Sequence, residues 1–199
     1  IDDAYKQGRT SEDSVYGQII ADLRTAAAYL PAVYEGQDIG RATSGAAKTL
    51  LGKVYLTRRD FNAAAGILGN VIASGRYSLL PQYGNLWNPA NANNAESIFE
   101  VQFKKGGTGT GSPYTNFFAP RNSGLAVCIV GFAYGRNLPT GGMVDAYETN
   151  DARKAASIAE VYRLNGQVIE DPYTVKYSDI PFADRDADNN FVILRYADV

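Results

Sequence analysis

Residues 50–75, LLGKVYLTRRDFNAAAGILGNVIASG, read as two short helices set back to back. In the first, Ala47, Leu50, Leu51, Val54 and Tyr55 recur at helical spacing. In the second, Phe61, Ala64, Ala65, Leu68 and Ile72 do the same. Arg58 and Arg59 place cations at the negative end of the first helix. Asp60 is suited to cap the second, and Gly75 to supply the left-handed residue that stops it. So short a turn makes the helices antiparallel neighbours. Tyr55 and Phe61 are therefore expected to be buried where they meet, and Phe61→Ala to cost about 3–5 kcal/mol.

The same stretch resembles the tetratricopeptide pattern. Leu51-Gly52, Tyr55, Phe61, Ala64 and Leu68 fall at the spacings of that repeat, although Arg59 stands where its turn glycine usually sits. The register returns upstream. Thr10 or Ser11 can cap a helix running to about Leu30, with Val15, Ile19, Leu23, Ala26 and Leu30 as its buried stripe and Pro31 as its stop. Ile19, Leu23, Ala26 and Pro31 stand where the second helix of a preceding repeat would put them. Residues 1–8 read as an irregular lead-in, and a polar loop over 34–45 joins this helix to the central pair.

Composition narrows the chemistry. The 199 residues are 45% hydrophobic and 20% charged, the balance of an ordinary globular chain. A net charge of −2 with no basic tract gives no nucleic-acid footprint. No apolar run is long enough to span a bilayer as a helix. The single Cys128 excludes an internal disulfide. Histidine is absent, which removes Ser-His-Asp and Cys-His catalysis and His-ligated zinc together. Tyrosine outnumbers phenylalanine 14 to 8, a bias that suits a wet binding surface as well as half-buried packing.

Beyond Gly75 the texture changes. Residues 76–95 form a loop rich in Asn, Pro and aromatics. Residues 98–103, IFEVQF, alternate like a strand with Phe99, Val101 and Phe103 on one face. The glycines of 106–112 exclude regular structure. The apolar run 125–132 reads as a buried strand. Pro139-Thr140 can start a short helix carrying Met143, Val144, Ala146 and Tyr147. Short strands and loops follow, with 173–177 as one strand, and 191–199 reads as the opening of a further helix. The expected organisation is one domain over 1–199: a helical scaffold over 9–75, a loop-rich lobe over 76–190, and the start of a helix over 191–199. Loops this long in a compact fold point to use.

Three groups of side chains could carry chemistry. Asp184, Asp186 and Asp188 are spaced like the start of a calcium loop. Asn189 replaces the glycine such a loop needs and Arg195 its bidentate glutamate, so a solvated acidic loop is the preferred reading, a looser calcium site is the lesser one, and no cofactor is expected. Glu100, Asp145, Glu148 and Asp151 could supply paired carboxylates for glycoside hydrolysis, but caps and surface charges explain them more simply. The loop aromatics are the third group. Trp87, Tyr114, Phe117, Phe118 and Tyr134 are the candidate ligand-binding residues, because ring faces stack on sugars and glycines let backbone approach a ligand. Packing of these rings onto the helices is the alternative.

Four stretches in order, 45–80 (GAAKTLLGKVYLTRRDFNAAAGILGNVIASGRYSLL), 95–103 (AESIFEVQF), 138–153 (LPTGGMVDAYETNDAR) and 191–199 (FVILRYADV), resemble the SusD/RagB family of outer-membrane nutrient-binding lipoproteins. The resemblance implies a mostly α, tetratricopeptide-like helical-repeat scaffold bearing an irregular lobe with short strands. It implies non-catalytic binding of glycans or other nutrients at the cell surface, and delivery to a SusC-like TonB-dependent transporter barrel. It also implies a lipid anchor outside this chain, which reads as an internal piece of a longer protein. Ligand residues vary between members, so none is transferred. A tetratricopeptide-type protein-interaction module and a carbohydrate-active enzyme are the alternative readings.

Overall fold

The computed structural model describes residues 8–199, so the reading of a lead-in over 1–8 lies almost wholly outside the described residues. The chain divides into two compact units, one reaching to Ser78 and including Leu194–Val199, the other Leu79–Ile193.

The first unit is the helical scaffold. Helix α1 (Glu12–Tyr29) starts at Ser11, whose hydroxyl accepts from the Ser14 amide, and stops at Leu30, ahead of Pro31. Helices α2 (Ser44–Thr57) and α3 (Phe61–Ala73) form the expected hairpin, and α2 packs against both α1 and α3. Asp60 caps α3 through the Ala63 amide. The turn is closed by Arg59 in the left-handed region, at φ 61°, a conformation unfavourable for a side chain with a Cβ. Leu51, Tyr55 and Ala64 make the core, with Ile20, Leu23, Ala63 and Ile67 against it. The Tyr55 hydroxyl accepts from Arg24 Nε at 3.0 Å, so the buried ring keeps its polar tip satisfied. Arg58 joins helices by an ion pair of 2.6 Å to Asp13 and lies over the Tyr16 ring.

Three expectations for this unit are corrected. Phe61 is 63% exposed, because the buried stripe of α3 is Ala64, Leu68 and Val71, rotated away from Phe61, Ala65 and Ile72. Close approach accompanies this facing: Leu68 packs on Gly52, where a Cβ would lie 2.6 Å from Leu68 Cγ. The α1 stripe is only half-buried, and Val15 is exposed. Residues 191–195 are extended and not the start of a helix. They form strand β4 (Phe191–Arg195), followed by a single 3-10 turn (Tyr196–Asp198), the β-branched run Val192-Ile193 favouring the extended form.

The second unit is loops with short elements. Strand β1 (Ser97–Val101) pairs with β4. Its buried positions are Ile98 and Glu100, on the face opposite Phe99 and Val101, and Val101 is exposed. Buried Glu100 is possible because its Oε2 accepts from the Asn93 amide and Asn190 Nδ2. Strands β2 (Ile158–Leu164) and β3 (Gln167–Thr174) form an antiparallel hairpin. Its two-residue turn is Asn165-Gly166, both with positive φ, the geometry that matches strand twist. The run 125–132 is not a buried strand. It is a 3-10 turn (Gly124–Ala126) and loop, with Leu125, Ile129 and Phe132 exposed and only Cys128 fully buried. Short helices α4 (Tyr114–Phe118), α5 (Gly141–Asp145, capped by Thr140) and α6 (Ala152–Ser157, capped by Asp151) complete it. No helix among the described residues is long and apolar enough to cross a membrane. The architecture is a mostly α scaffold with an irregular, strand-bearing lobe.

Candidate functional site

Within Leu79–Ile193, Tyr177 organises an aromatic cluster. It ends the stretch after β3 with φ 61°, a conformation a bulky residue adopts only when its surroundings hold it there. Those surroundings are explicit. Its carbonyl accepts from Thr115 Oγ1 and from Asn189 Nδ2. Its ring stacks on Phe191 at 5.1 Å and meets Trp87 edge-on at 5.2 Å. Tyr114 lies 4.9 Å from Phe191 and 5.4 Å from Phe118 between ring centroids.

This cluster floors a cavity of about 490 Å3. Phe118, Tyr177 and Phe191 contribute rings, Met143 and Tyr147 come from α5 and the residues after it, and Asn137, Thr140 and Lys176 are polar groups in the lining. Lys176 Nζ sits 4.5 Å above the Trp87 ring and 5.5 Å from that of Tyr83. An adjoining hollow of about 270 Å3 shares Met143 and Tyr147 and adds Tyr83, Asp151 and Arg153. There Arg153 grips Asp151 through Nε and Nη2, and this holds the Asp151 carboxyl down to about 2. Apolar rings with a few convergent polar groups are the usual make-up of a small-molecule site.

The five rings singled out in the sequence therefore divide. Phe118 lines the cavity. Trp87 and Tyr114 stand behind its lining, supporting Lys176 and the Tyr177–Phe191 stack. Phe117 and Tyr134 form a separate edge-to-face pair at 5.5 Å, with the Arg136 guanidinium 4.1 Å from the Phe117 ring centre. Tyr147, Tyr177, Phe191 and Lys176 do not stand out in the sequence as site residues. Tyr147 and Tyr177 read there only as helix and strand residues, and nothing distinguishes Lys176 from a surface lysine.

The three aspartates of 184–188 all have structural partners. Asp184 accepts from the Phe132 amide and the Tyr134 hydroxyl. Asp186 accepts from the amides of Gly106 and Gly107, and Asp188 from the amide of Lys105. Burial would raise the Asp184 and Asp188 carboxyls, but these bonds, with Arg185 at Asp184 and Lys104 at Asp188, outweigh it and hold both below their ordinary value. Among the described residues no group of three or more His, Cys, Asp or Glu side chains is placed to hold a metal. Glu100 is part of the β1 network and Asp151 is a helix cap, while Asp145 and Glu148 are exposed. Burial pushes the Cys128 thiol up, and it donates to the Val130 carbonyl.

A helical-hairpin scaffold bearing an irregular, strand-containing lobe defines a class, and known proteins share this fold. A SusD-like protein of Formosa agariphila is 27% identical over 96% of this chain and 43% of its own length. A surface glycan-binding protein A from Bacteroides fluxus superposes with a TM-score of 0.81, at 27% identity, over 98% of this chain and 46% of that one. The corresponding Bacteroides thetaiotaomicron protein in complex with laminarihexaose shares the fold, with a TM-score of 0.77 at 18% identity over 93% of this chain and 48% of that one. No protein-family model matches. The chain resembles SusD-like proteins in sequence and in fold. It spans less than half the length of the curated relative it matches over nearly all its residues.

Proposed function

We propose that this chain carries a non-catalytic glycan-binding surface of a cell-surface nutrient-uptake protein, anchored at the outer membrane by a lipid outside these residues. Its cargo passes to a TonB-dependent transporter barrel. The observation that carries the reading is the cavity floored by Phe118, Tyr177 and Phe191 and walled by Tyr147. Sugar rings present axial C–H groups that pack on such faces, and hydroxyls can meet Asn137 and Thr140. The name of the solved Bacteroides fluxus neighbour, a surface glycan-binding protein, supports glycan as the ligand class. Phe118 is the direct contact among the rings chosen from sequence. Trp87 and Tyr114 act by holding the floor, and Phe117 with Tyr134 offers a second ring surface.

The test is calorimetry or affinity electrophoresis of the intact chain against a panel of oligosaccharides that includes laminarihexaose, repeated on Tyr147→Ala and Phe118→Ala. Stacking contributes roughly 1 kcal/mol or more per ring, so each variant should lose several-fold in affinity. Binding that survives both substitutions unchanged moves the site elsewhere. No reducing sugar should be released. Hydrolysis that disappears in Glu100→Gln or Asp145→Asn would replace binding with catalysis.

A further inference from the structure

The residues 79–193 contain four lysines. Lys104 pairs with Asp188, Lys105 with Asp179 and Lys154 with Glu160. Lys176 forms no ion pair among the described residues. Its ammonium rests instead against the faces of Trp87 and Tyr83. It is also the only charged side chain in the lining of the aromatic cavity. In the adjoining hollow Arg153 and Asp151 neutralise each other. The cavity thus presents ring faces and one positive charge with no carboxylate of the protein set against it. Ring faces stabilise an ammonium only in part, and a half-buried cation gains most from an anion that can enter beside it.

We propose that this cavity takes an anionic saccharide, with a pyranose ring on the aromatic floor and a carboxylate or sulfate ester against Lys176. This rests on the glycan reading of the same cavity and adds its charge class. Lys176 is the specificity-determining residue. It separates acidic from neutral sugars of similar shape, while Tyr147 and Phe118 hold either.

The probes are trigalacturonate for the carboxylate, a sulfated carrageenan tetrasaccharide for the sulfate ester, and laminarihexaose as the neutral control. Each is titrated by calorimetry into the intact chain and into Lys176→Gln, Lys176→Arg and Tyr147→Ala, with thermal melts to confirm that every variant is folded. At least one anionic probe should bind more tightly than laminarihexaose and weaken as salt is added. Lys176→Gln should lose about tenfold or more for that probe, as expected when a charge-assisted contact is removed, and Lys176→Arg should keep most of it. Which anionic probe responds identifies the acid. If laminarihexaose binds at least as well and Lys176→Gln changes nothing while Tyr147→Ala weakens binding, the glycan reading stands and the charge selection falls. If no probe binds, both fall.

Discussion

Gly52 of α2 lies against Leu68 of α3 so closely that a Cβ on the glycine would meet Leu68 Cγ at 2.6 Å. The two helices touch nearly backbone to side chain at this point, and the scaffold depends on the missing methyl. Gly52→Ala is expected to destabilise by about 1–3 kcal/mol, the usual range for overpacking a core. Gly66, on the same helix as Leu68, is the control, because a Cβ there would have nothing within 4 Å. Gly66→Ala should stabilise by up to ~1 kcal/mol through helix propensity. Thermal melts of the two variants should shift in opposite directions.

Arg59 occupies the left-handed turn at φ 61°. Glycine reaches that conformation without strain, so Arg59→Gly should stabilise by about 0.5–1 kcal/mol once the greater freedom of the unfolded glycine is subtracted. Arg59→Val should do the reverse. A glycine variant that melts lower than the parent would show that the arginine side chain holds the turn.

Phe61→Ala is expected to change stability by less than about 1 kcal/mol, because the ring is largely in water and its loss opens no cavity. Leu51→Ala, at 2% exposure in the core, should cost about 2–5 kcal/mol. Denaturant titrations of the pair measure the difference directly.

Asp151 titrates at about 2 because Arg153 binds its carboxylate. The folded-state value lies below the unfolded one of about 3.9, so its stabilising contribution is complete above that pH and disappears as pH falls towards 2. Asp184 and Asp188 act in the same direction. Carboxyl NMR should place the Asp151 midpoint near 2. Arg153→Ala should raise it, while the amide of residue 153, which still caps the carboxylate, keeps it from returning fully to the ordinary range.

The helical hairpin was legible because local signals agree there: periodicity, the Asp60 cap and a short turn all specify one arrangement. The facing of α3 was not, since its sequence FNAAAGILGNVIA is apolar nearly all round and offers no polar side to orient it. In the lobe, burial departs from residue type. Glu100 is inside and Phe132 outside, and long-range partners such as Asn190 decide which. The β2–β3 hairpin could have been found from Asn165-Gly166, a strong short-range turn signal. The candidate site was half legible. Its rings stand out by composition, but which rings share a cavity depends on Tyr177, Phe191 and Tyr147, brought together from distant positions. The charge of the site depends on what Lys176 lacks as a partner, which no local pattern encodes.

Asp184 stands in a tight turn closed by the Asp186 amide on the Ala183 carbonyl, Asp186 and Asp188 follow that turn, and each of the three takes hold of backbone in another part of the lobe. Gly131 and Gly111 lie close against this segment: a Cβ on either would come within 2.7 Å and 2.5 Å of the Asp184 and Asp186 Cα atoms. The segment therefore works as a splint. Loops bound to it through main-chain amides are located in large part by their backbone, so exposed residues that do not touch the aspartates are free to vary while the loops stay where they are. A one-residue insertion among the three aspartates would move them off the amides they hold and release several loops together, whereas substitutions at the tips would leave the frame untouched. A surface built in this way can change what it recognises without first having to change how it folds.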